Sequence, residues 1–365
     1  MYNQDEKALI WLNNFNNIST KKKLLILDLF MSPSEMYTSF KSCREDIIQI
    51  IDTKVYNQLA LLCEDSYVDK IINDLKVKNV KALTIASENY PNKLKDDLLD
   101  PPICLYYKGN IELLDKLCIA IVGARKITRY GKDVTEKFSR ELALNGFCIV
   151  SGLARGADTA AHTECLANDG DTIAVLGCGI DVVYPKENKD LYLDIAEKGL
   201  ILSEFPLGIE PLSYNFPQRN RIISALSDAV LVTEASEKSG SIITANIALE
   251  MGKEIYAVPG NIFSEQSKGT NDLIKNCSNV IMATNVNDIL KQFNMKEREM
   301  IVDAIQLDFL QQNIVNELAC GKLHLEEILS KTNVEISSLF VSLQGLINAK
   351  VIRQLPGNFY ELQPK

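Results

Sequence analysis

Histidine is nearly missing from this chain of 365 residues. It has two, His162 and His324, and neither has a second histidine or a cysteine at metal-ligand spacing. Most metal-dependent and histidine-based acid–base chemistry is thereby excluded. A phosphate-cradling G-x-x-x-x-G-K-S/T, an H-E-x-x-H helix and a G-x-S-x-G nucleophile elbow are all absent. Positive charge is also short: 39 Lys and Arg stand against 48 Asp and Glu, net -9, so no global cationic field draws the chain to nucleic acid or to anionic lipid. Any contact with DNA must come from a local patch. No apolar run approaches the ~18 to 20 residues of a membrane span, and the N-terminal MYNQDEKALIWL is acidic where a signal peptide is basic. The nine cysteines, at 43, 63, 104, 118, 148, 165, 178, 277 and 320, are odd in number, form no C-x-x-C pair and fall largely in apolar runs. They read as reduced, buried thiols of a soluble cytoplasmic protein. At 46% hydrophobic and 24% charged residues the chain can bury the cores of two or three domains, which excludes global disorder.

What is present is a regular series of short apolar runs: CIAIVG (118–123), FCIVSG (147–152), TIAVLG (172–177), LILSE (200–204), AVLVTEA (229–235), EIYAVPG (254–260) and NVIMA (279–283). Their starts lie 25 to 29 residues apart. Each run is near-continuously apolar, as a strand covered on both faces must be, and the intervening segments are amphipathic at helical spacing, as with Val134, Phe138 and Leu142. Gly146, Gly170, Gly199 and Gly252 stand just before the next strand, where a left-handed helix cap is expected. The pattern predicts an α/β fold with a doubly wound, mostly parallel Rossmann-like sheet. Residues 1–80 read as a helical domain without strands, 81–293 as the sheet domain with DPPICLYYKGN (100–110) leading into it, and 294–365 as a third domain. In this last domain three helices precede KVIRQLPGNFYELQ, whose Pro356-Gly357-Asn358 turn joins two short strands, the order of a winged helix.

In such a sheet, ligands bind beyond the carboxyl ends of the strands, where strand order reverses. The residues there are Gly123-Ala124-Arg125-Lys126, then Gly152-Leu153-Ala154-Arg155-Gly156, then Gly177-Cys178-Gly179 with Tyr184-Pro185-Lys186. The later connections hold Phe216-Pro217-Gln218-Arg219-Asn220-Arg221 and Ser239-Gly240-Ser241. Singly, these are ordinary turn glycines, a core phenylalanine and a salt-bridged helix start. Together they set basic residues after successive strands, with an aromatic ring and a helix N-terminus beside them, which packing alone does not require. Gly177 and Gly179 lack the third glycine and the acidic partner of a dinucleotide fingerprint, so NAD is not expected. Lys21, Lys22 and Lys23 read as a solvated helix end, and His162 as a hydrogen-bonded structural histidine.

The run from Val122 to Gly131, with SGLARGAD (151–158), LGCGIDVVYPKEN (176–188), SEFPLG (203–208), FPQRNRIISALS (216–227), SGSIITANIALEMG (239–252) and AVPG (257–260), closely resembles the DNA-processing protein DprA (Smf) family over roughly residues 90 to 290. The resemblance implies a protein that binds and protects single-stranded DNA, forms a homodimer and loads the recombinase RecA in natural transformation. It carries the family's strand-one arginine onto Arg125, the basic residue after Tyr-Pro onto Lys186, and the aromatic onto Phe216, with Arg219 and Asn220 beside it. The DNA-binding set is therefore Gly123, Arg125, Lys126, Arg155, Lys186, Phe216, Arg219, Asn220, Arg221, Ser239, Gly240 and Ser241, with no catalytic residue, metal, cofactor or membrane partner. Two departures stand out: Ser213 where several relatives have a lysine, and Asn276-Cys277-Ser278 where Gly-Ala is usual.

Residues 116–290 hold 17 Lys and Arg against 22 Asp and Glu, so the binding edge must be an enclave in an acidic domain. The tail from 291 holds 8 against 9, and its presumptive recognition helix, EISSLFVSLQGLINAK, has only Lys350. A duplex-reading winged helix brings several cations to phosphates, so a protein-binding or packing role is expected here. The apolar stretches Ile242–Met251 and Ile255–Val258 serve as core or as dimer interface. The rival reading is a Rossmann-type nucleotide-binding protein or a nucleoside-monophosphate phosphoribohydrolase, but SGSIIT lacks the paired glycines and adjacent glutamate of that enzyme's loop.

Overall fold

The computed structural model describes residues 2–295, 307–319, 321–349 and 351–362, so Cys320, Lys350 and much of the KQFNMKERE connection lie outside the described residues. The chain forms two compact units, 1–297 and 298–365.

In the first unit, seven apolar runs become parallel strands, preceded by a short antiparallel pair. The strands are β1 (Lys81–Thr84), β2 (Cys104–Gly109), β3 (Cys118–Val122), β4 (Cys148–Ser151), β5 (Thr172–Leu176), β6 (Leu200–Ser203), β7 (Ala229–Val232), β8 (Glu254–Ala257) and β9 (Val280–Met282). They lie in the order β1-β2-β6-β5-β4-β3-β7-β8-β9. The ladder from β6 to β9 is parallel throughout, while β2 pairs antiparallel with both β1 and β6. The order reverses between β3 and β7, which neighbour each other in space although three strands separate them in sequence.

Alternate residues on each strand enter opposite cores, as a period of two requires. Ile119 and Ile121 pack with Phe138 and Leu142 of the helix Arg129–Leu144, whereas Ala120 and Val122 pack with Ile222, Leu226 and Ala245 on the other face. Six helices between Gln4 and Val77 surround Trp11 and share one core with Tyr106, Ala174 and Ile201 of the sheet. Lys23 departs from the expected solvated helix end. It is 4% exposed, and its ammonium donates to Asn13 O and Oδ1 at 3.2 and 3.1 Å. Burial lowers its pKa to about 8, against the pull of Glu204.

Of the four glycine caps, Gly146 (φ +91°) and Gly252 (φ +72°) take the left-handed conformation. Asp169 (φ +53°) takes it in place of Gly170, and Gly199 ends its helix at φ -124°. Cys104, Cys118, Cys148, Cys165 and Cys178 are buried free thiols, while Cys43, Cys63 and Cys277 are half-buried.

The second unit runs helix Phe309–Leu318, β10 (Leu323–His324), helices Leu325–Thr332 and Ile336–Asn348, β11 (Ile352–Leu355) and β12 (Phe359–Leu362). The strands form an antiparallel sheet in the order β10-β12-β11 over a core of Ile314, Leu318, Ile328, Leu339, Leu343, Leu346, Ile352 and Tyr360. The turn at Gly357 and Asn358 has φ of +77° and +57°, as a tight hairpin demands. Among the described residues no helix is long and apolar enough to cross a membrane.

Candidate nucleic-acid interface

The strand reversal opens a cleft of about 390 Å³ between the ends of β3 and β7. Its β3 wall is stapled by Glu234: Ala124 N–H donates to Glu234 O (2.7 Å), and the buried carboxylate accepts from Thr128 N–H (2.8 Å) and Oγ1 (2.6 Å). Thr128 caps the following helix by accepting from Gly131 N–H. With the backbone so fixed, Arg125 and Lys126 are left exposed at the rim.

The β4 side depends on a strained turn. Leu153, fully buried, sits at φ +55°, a conformation that costs a branched side chain about 1 kcal/mol or more. The turn aims Gly152 and Ala154 N–H at Asp158 Oδ2, at 3.1 and 3.2 Å. Burial raises the pKa of Asp158, opposed by Arg219 and these two bonds.

The helix Asn215–Leu226 forms the floor. Phe216, Arg219, Asn220 and Ile223 all line the cleft, and their i, i+3, i+4, i+7 spacing is that of a single helical face. The Phe216 ring lies on the end of β5, where a Cβ on Gly177 would meet it at 2.7 Å. The Arg125 guanidinium stands over the ring with its carbon 4.9 Å from the centroid, and Tyr184 lies tilted at 5.5 Å. Opposite, Ser239 caps the helix Gly240–Glu250, Asn220 Nδ2 donates to Gly240 O at 3.4 Å, and Gly240 faces open space.

Gly123, Arg125, Lys126, Phe216, Arg219, Asn220, Ser239, Gly240 and Ser241 thus converge on one cleft. The remaining expected residues do not. Arg221 is a correction: it turns away and forms a buried pair with Glu204, Nη2 reaching Oε1 at 2.6 Å and Oε2 at 2.7 Å. Exposed Arg155 pairs with Glu187 at 2.5 Å, and Lys186 is exposed at the neighbouring strand end.

Arg219 lines the cleft but is 3% exposed, so little of its guanidinium is open to solvent. Its Nη1 donates to Gly152 O (2.7 Å) and Val175 O, tying the ends of β4 and β5, and Gly152 has no room for a Cβ against it. Burial lowers its pKa to about 10, Asp158 raising and Arg125 lowering it. His162 is structural as expected: fully buried, its Nδ1 is 2.7 Å from Thr172 Oγ1, and burial lowers its pKa to about 3.

Sequence reasoning missed Asp158 and Gln266 as lining residues, and Glu234 as the staple. Asp158 ends the SGLARGAD run, so the signal was present. Asp158 is the only acidic side chain among the described lining residues. Among the described residues, no group of three or more His, Cys, Asp or Glu could hold a metal.

The fold and the cleft together define a doubly wound α/β protein that offers cations, an aromatic face and a helix N-terminus at its switch point. The chain belongs to the DNA recombination-mediator protein A family, whose pattern matches residues 81–294. It is 39% identical over 248 residues to the DNA processing protein DprA of Streptococcus pneumoniae, covering 68% of this chain and 85% of that protein. It is also 39% identical over 263 residues to the protein Smf of Synechocystis, covering 69% of this chain and 65%, just under two thirds, of that one. The X-ray structure of DprA from Streptococcus pneumoniae matches 80% of this chain and 98% of its own, with a TM-score of 0.67 and 33% identity. The structure of DNA processing protein A from Helicobacter pylori, described for its single-stranded DNA binding mode, matches 59% of this chain and 95% of its own, with a TM-score of 0.54 and 36% identity.

Proposed function

We propose that the cleft binds single-stranded DNA without sequence preference. The observation that carries this reading is the placement of the Arg125 guanidinium over the Phe216 ring at the cleft mouth. A base stacks on this cation–aromatic pair, while Arg125, Lys126 and the Gly240 N–H meet the adjoining phosphates, with exposed Lys186 extending the track. The single-strand binding of the Helicobacter pylori relative supports the same reading. Within the family's setting, the chain protects incoming DNA in the cytoplasm during natural transformation, acts as a homodimer and loads RecA.

No enzymatic step is assigned, because the one carboxylate among the described lining residues, Asp158, is held by two backbone N–H groups and faces Arg219. The C-terminal unit acts as a winged helix that contacts protein rather than phosphate. The helix Ile336–Asn348 presents Ile336, Phe340 and Val341 to solvent, and among the described cations of this unit Lys331 and Arg353 are paired with Glu317 and Glu361.

The deciding experiment is titration with labelled oligo-dT against a labelled mononucleotide, using Arg125→Ala and Phe216→Ala. Both variants weaken the oligonucleotide by about 1 to 3 kcal/mol. Arg125→Ala also flattens the salt dependence by about 0.7, one phosphate, whereas Phe216→Ala leaves it unchanged. A mononucleotide that binds as tightly as the oligonucleotide refutes the reading in favour of a nucleotide site.

A further inference from the structure

The segment after β8 holds two apolar side chains almost wholly in solvent, Ile262 at 77% and Phe263 at 90% exposure. Their backbone is fixed at both ends. Gly260 N–H donates to Asn271 Oδ1 (3.0 Å) and Asn271 Nδ2 donates back to Gly260 O (3.1 Å). Phe263 N–H and Ser264 N–H donate to Asn261 Oδ1 and O, each at 2.9 Å. Tyr130 hydroxyl ties Pro259 O at 2.6 Å, and Gly269 N–H ties Ala235 O at 2.8 Å, just beyond β7. A side chain shown from so constrained a loop binds without a large ordering cost.

The same loop carries Gln266, which lines the cleft three residues after Phe263. The size of the patch selects its occupant. A stable protein interface covers about 800 Å² per partner around a contiguous apolar centre. Here two apolar side chains are flanked by Asn261, Ser264, Glu265 and Gln266, which suits one planar ring rather than a protein face. Glu265 pairs with Lys268 at 2.6 Å, which offsets its charge, and Glu237 and Asp272 also lie near that ammonium.

We propose that Phe263, with Ile262 beside it, is a second base-stacking platform that extends the single-strand path beyond the Arg125–Phe216 cleft. This rests on the reading of that cleft as a single-strand site. Trp11, the only tryptophan, is fully buried, so Phe263→Trp in the full chain adds the one exposed indole, whose emission stacking on a base quenches.

The probes are oligo-dT of about 4 nucleotides, which fills the cleft alone, and of about 12, which reaches the loop. Phe263→Ala is expected to weaken the longer strand about 5-fold or more and leave the shorter one unchanged. Phe263→Trp restores the longer strand's affinity and is quenched by it alone. Unchanged long-strand affinity in Phe263→Ala, while Arg125→Ala still weakens both strands, overturns the platform and leaves the cleft standing. A changed sedimentation mass in Phe263→Ala without a change in affinity assigns the patch to protein contact and also overturns it. If Arg125→Ala weakens neither strand, the cleft and the platform fall together.

Discussion

Replacing Glu204 by Gln tests how the N-terminal helices hold the cleft floor. Glu204 lies just after β6 with its side chain 5% exposed, and Arg221 opposite it is 11% exposed. Both carboxylate oxygens accept from Arg221 Nη2, and Oε1 also accepts from Thr20 Oγ1 at 2.7 Å. The backbone carbonyl of Glu204 accepts from Asn13 Nδ2 at 3.0 Å. Arg221 Nε and Nη1 are buried without a partner, so this carboxylate is the guanidinium's main compensation. Removing one member of a buried pair costs about 3 to 5 kcal/mol, because the other charge is stranded. Glutamine keeps the shape and one acceptor, which places the expected loss near the lower end, about 3 kcal/mol. Lys23 loses its nearby negative charge as well, and its pKa falls below about 8. Urea unfolding of the full chain, followed by Trp11 fluorescence, reads this unit specifically, since the indole is fully buried and donates to Leu62 O at 2.9 Å. Replacing the pair together, as Glu204→Leu with Arg221→Met, should recover much of the loss, because no charge is then stranded. A loss under about 1 kcal/mol for Glu204→Gln would refute the reasoning, since Arg221 would then have found other compensation.

Three further outcomes follow from the geometry. His162, neutral when folded with its pKa at about 3, takes up a proton on unfolding below its ordinary value of 6.5, so its contribution to stability is complete above pH 6.5 and declines as the pH falls toward 3. The difference in unfolding free energy between wild type and His162→Gln should therefore vary with pH between 6.5 and 4, and a flat difference refutes it. Arg219→Ala leaves the carbonyls of Gly152 and Val175 and the carboxyl of Asp158 without their cation, and should destabilise this unit by about 2 kcal/mol or more in urea. A truncation ending at residue 295 should keep the full-length salt slope for oligo-dT; a slope shallower by two or more phosphates would show that the tail neutralises DNA.

The parallel strands were legible because burial on both faces leaves few polar residues in each run, such as Ser151, Thr172 and Ser203 at strand ends, a signal that needs no partner to read. β1 was not, since KALT is four residues long and follows an amphipathic helix, and β2 was masked by its Asp100-Pro101-Pro102 lead-in. At the cleft, the motif after each strand gave the right edge but not the direction of each side chain. Arg219 and Arg221 are two positions apart, about 200° around a helix, so they cannot share a face. Arg219 falls with Phe216, Asn220 and Ile223, and Arg221 therefore points to Glu204. Lys23 could not be read from its neighbours, because its burial depends on Asn13 and Glu204 and is decided only by tertiary packing.

Arg219 explains how an acidic domain can carry a cationic enclave with few cations at its surface. Its guanidinium is used inside, where it joins the carbonyls at the ends of β4 and β5, and Asp158 answers its charge. On the proposed reading, what remains for phosphates is the exposed set of Arg125, Lys126 and Lys186, helped by the uncharged Gly240 N–H at the start of the helix Gly240–Glu250. Three phosphate contacts on a single strand give a slope of log affinity against log salt of about -2 per chain. Arg219→Ala should leave that slope unaltered in the fraction that stays folded, whereas Lys126→Ala should reduce it by about 0.7. Because the neutral contributions of stacking and backbone N–H groups do not release counterions, substantial affinity should persist at high salt. A wild-type slope steeper than about -4 would contradict this division of labour, because cations well outside the cleft would then be neutralising the strand.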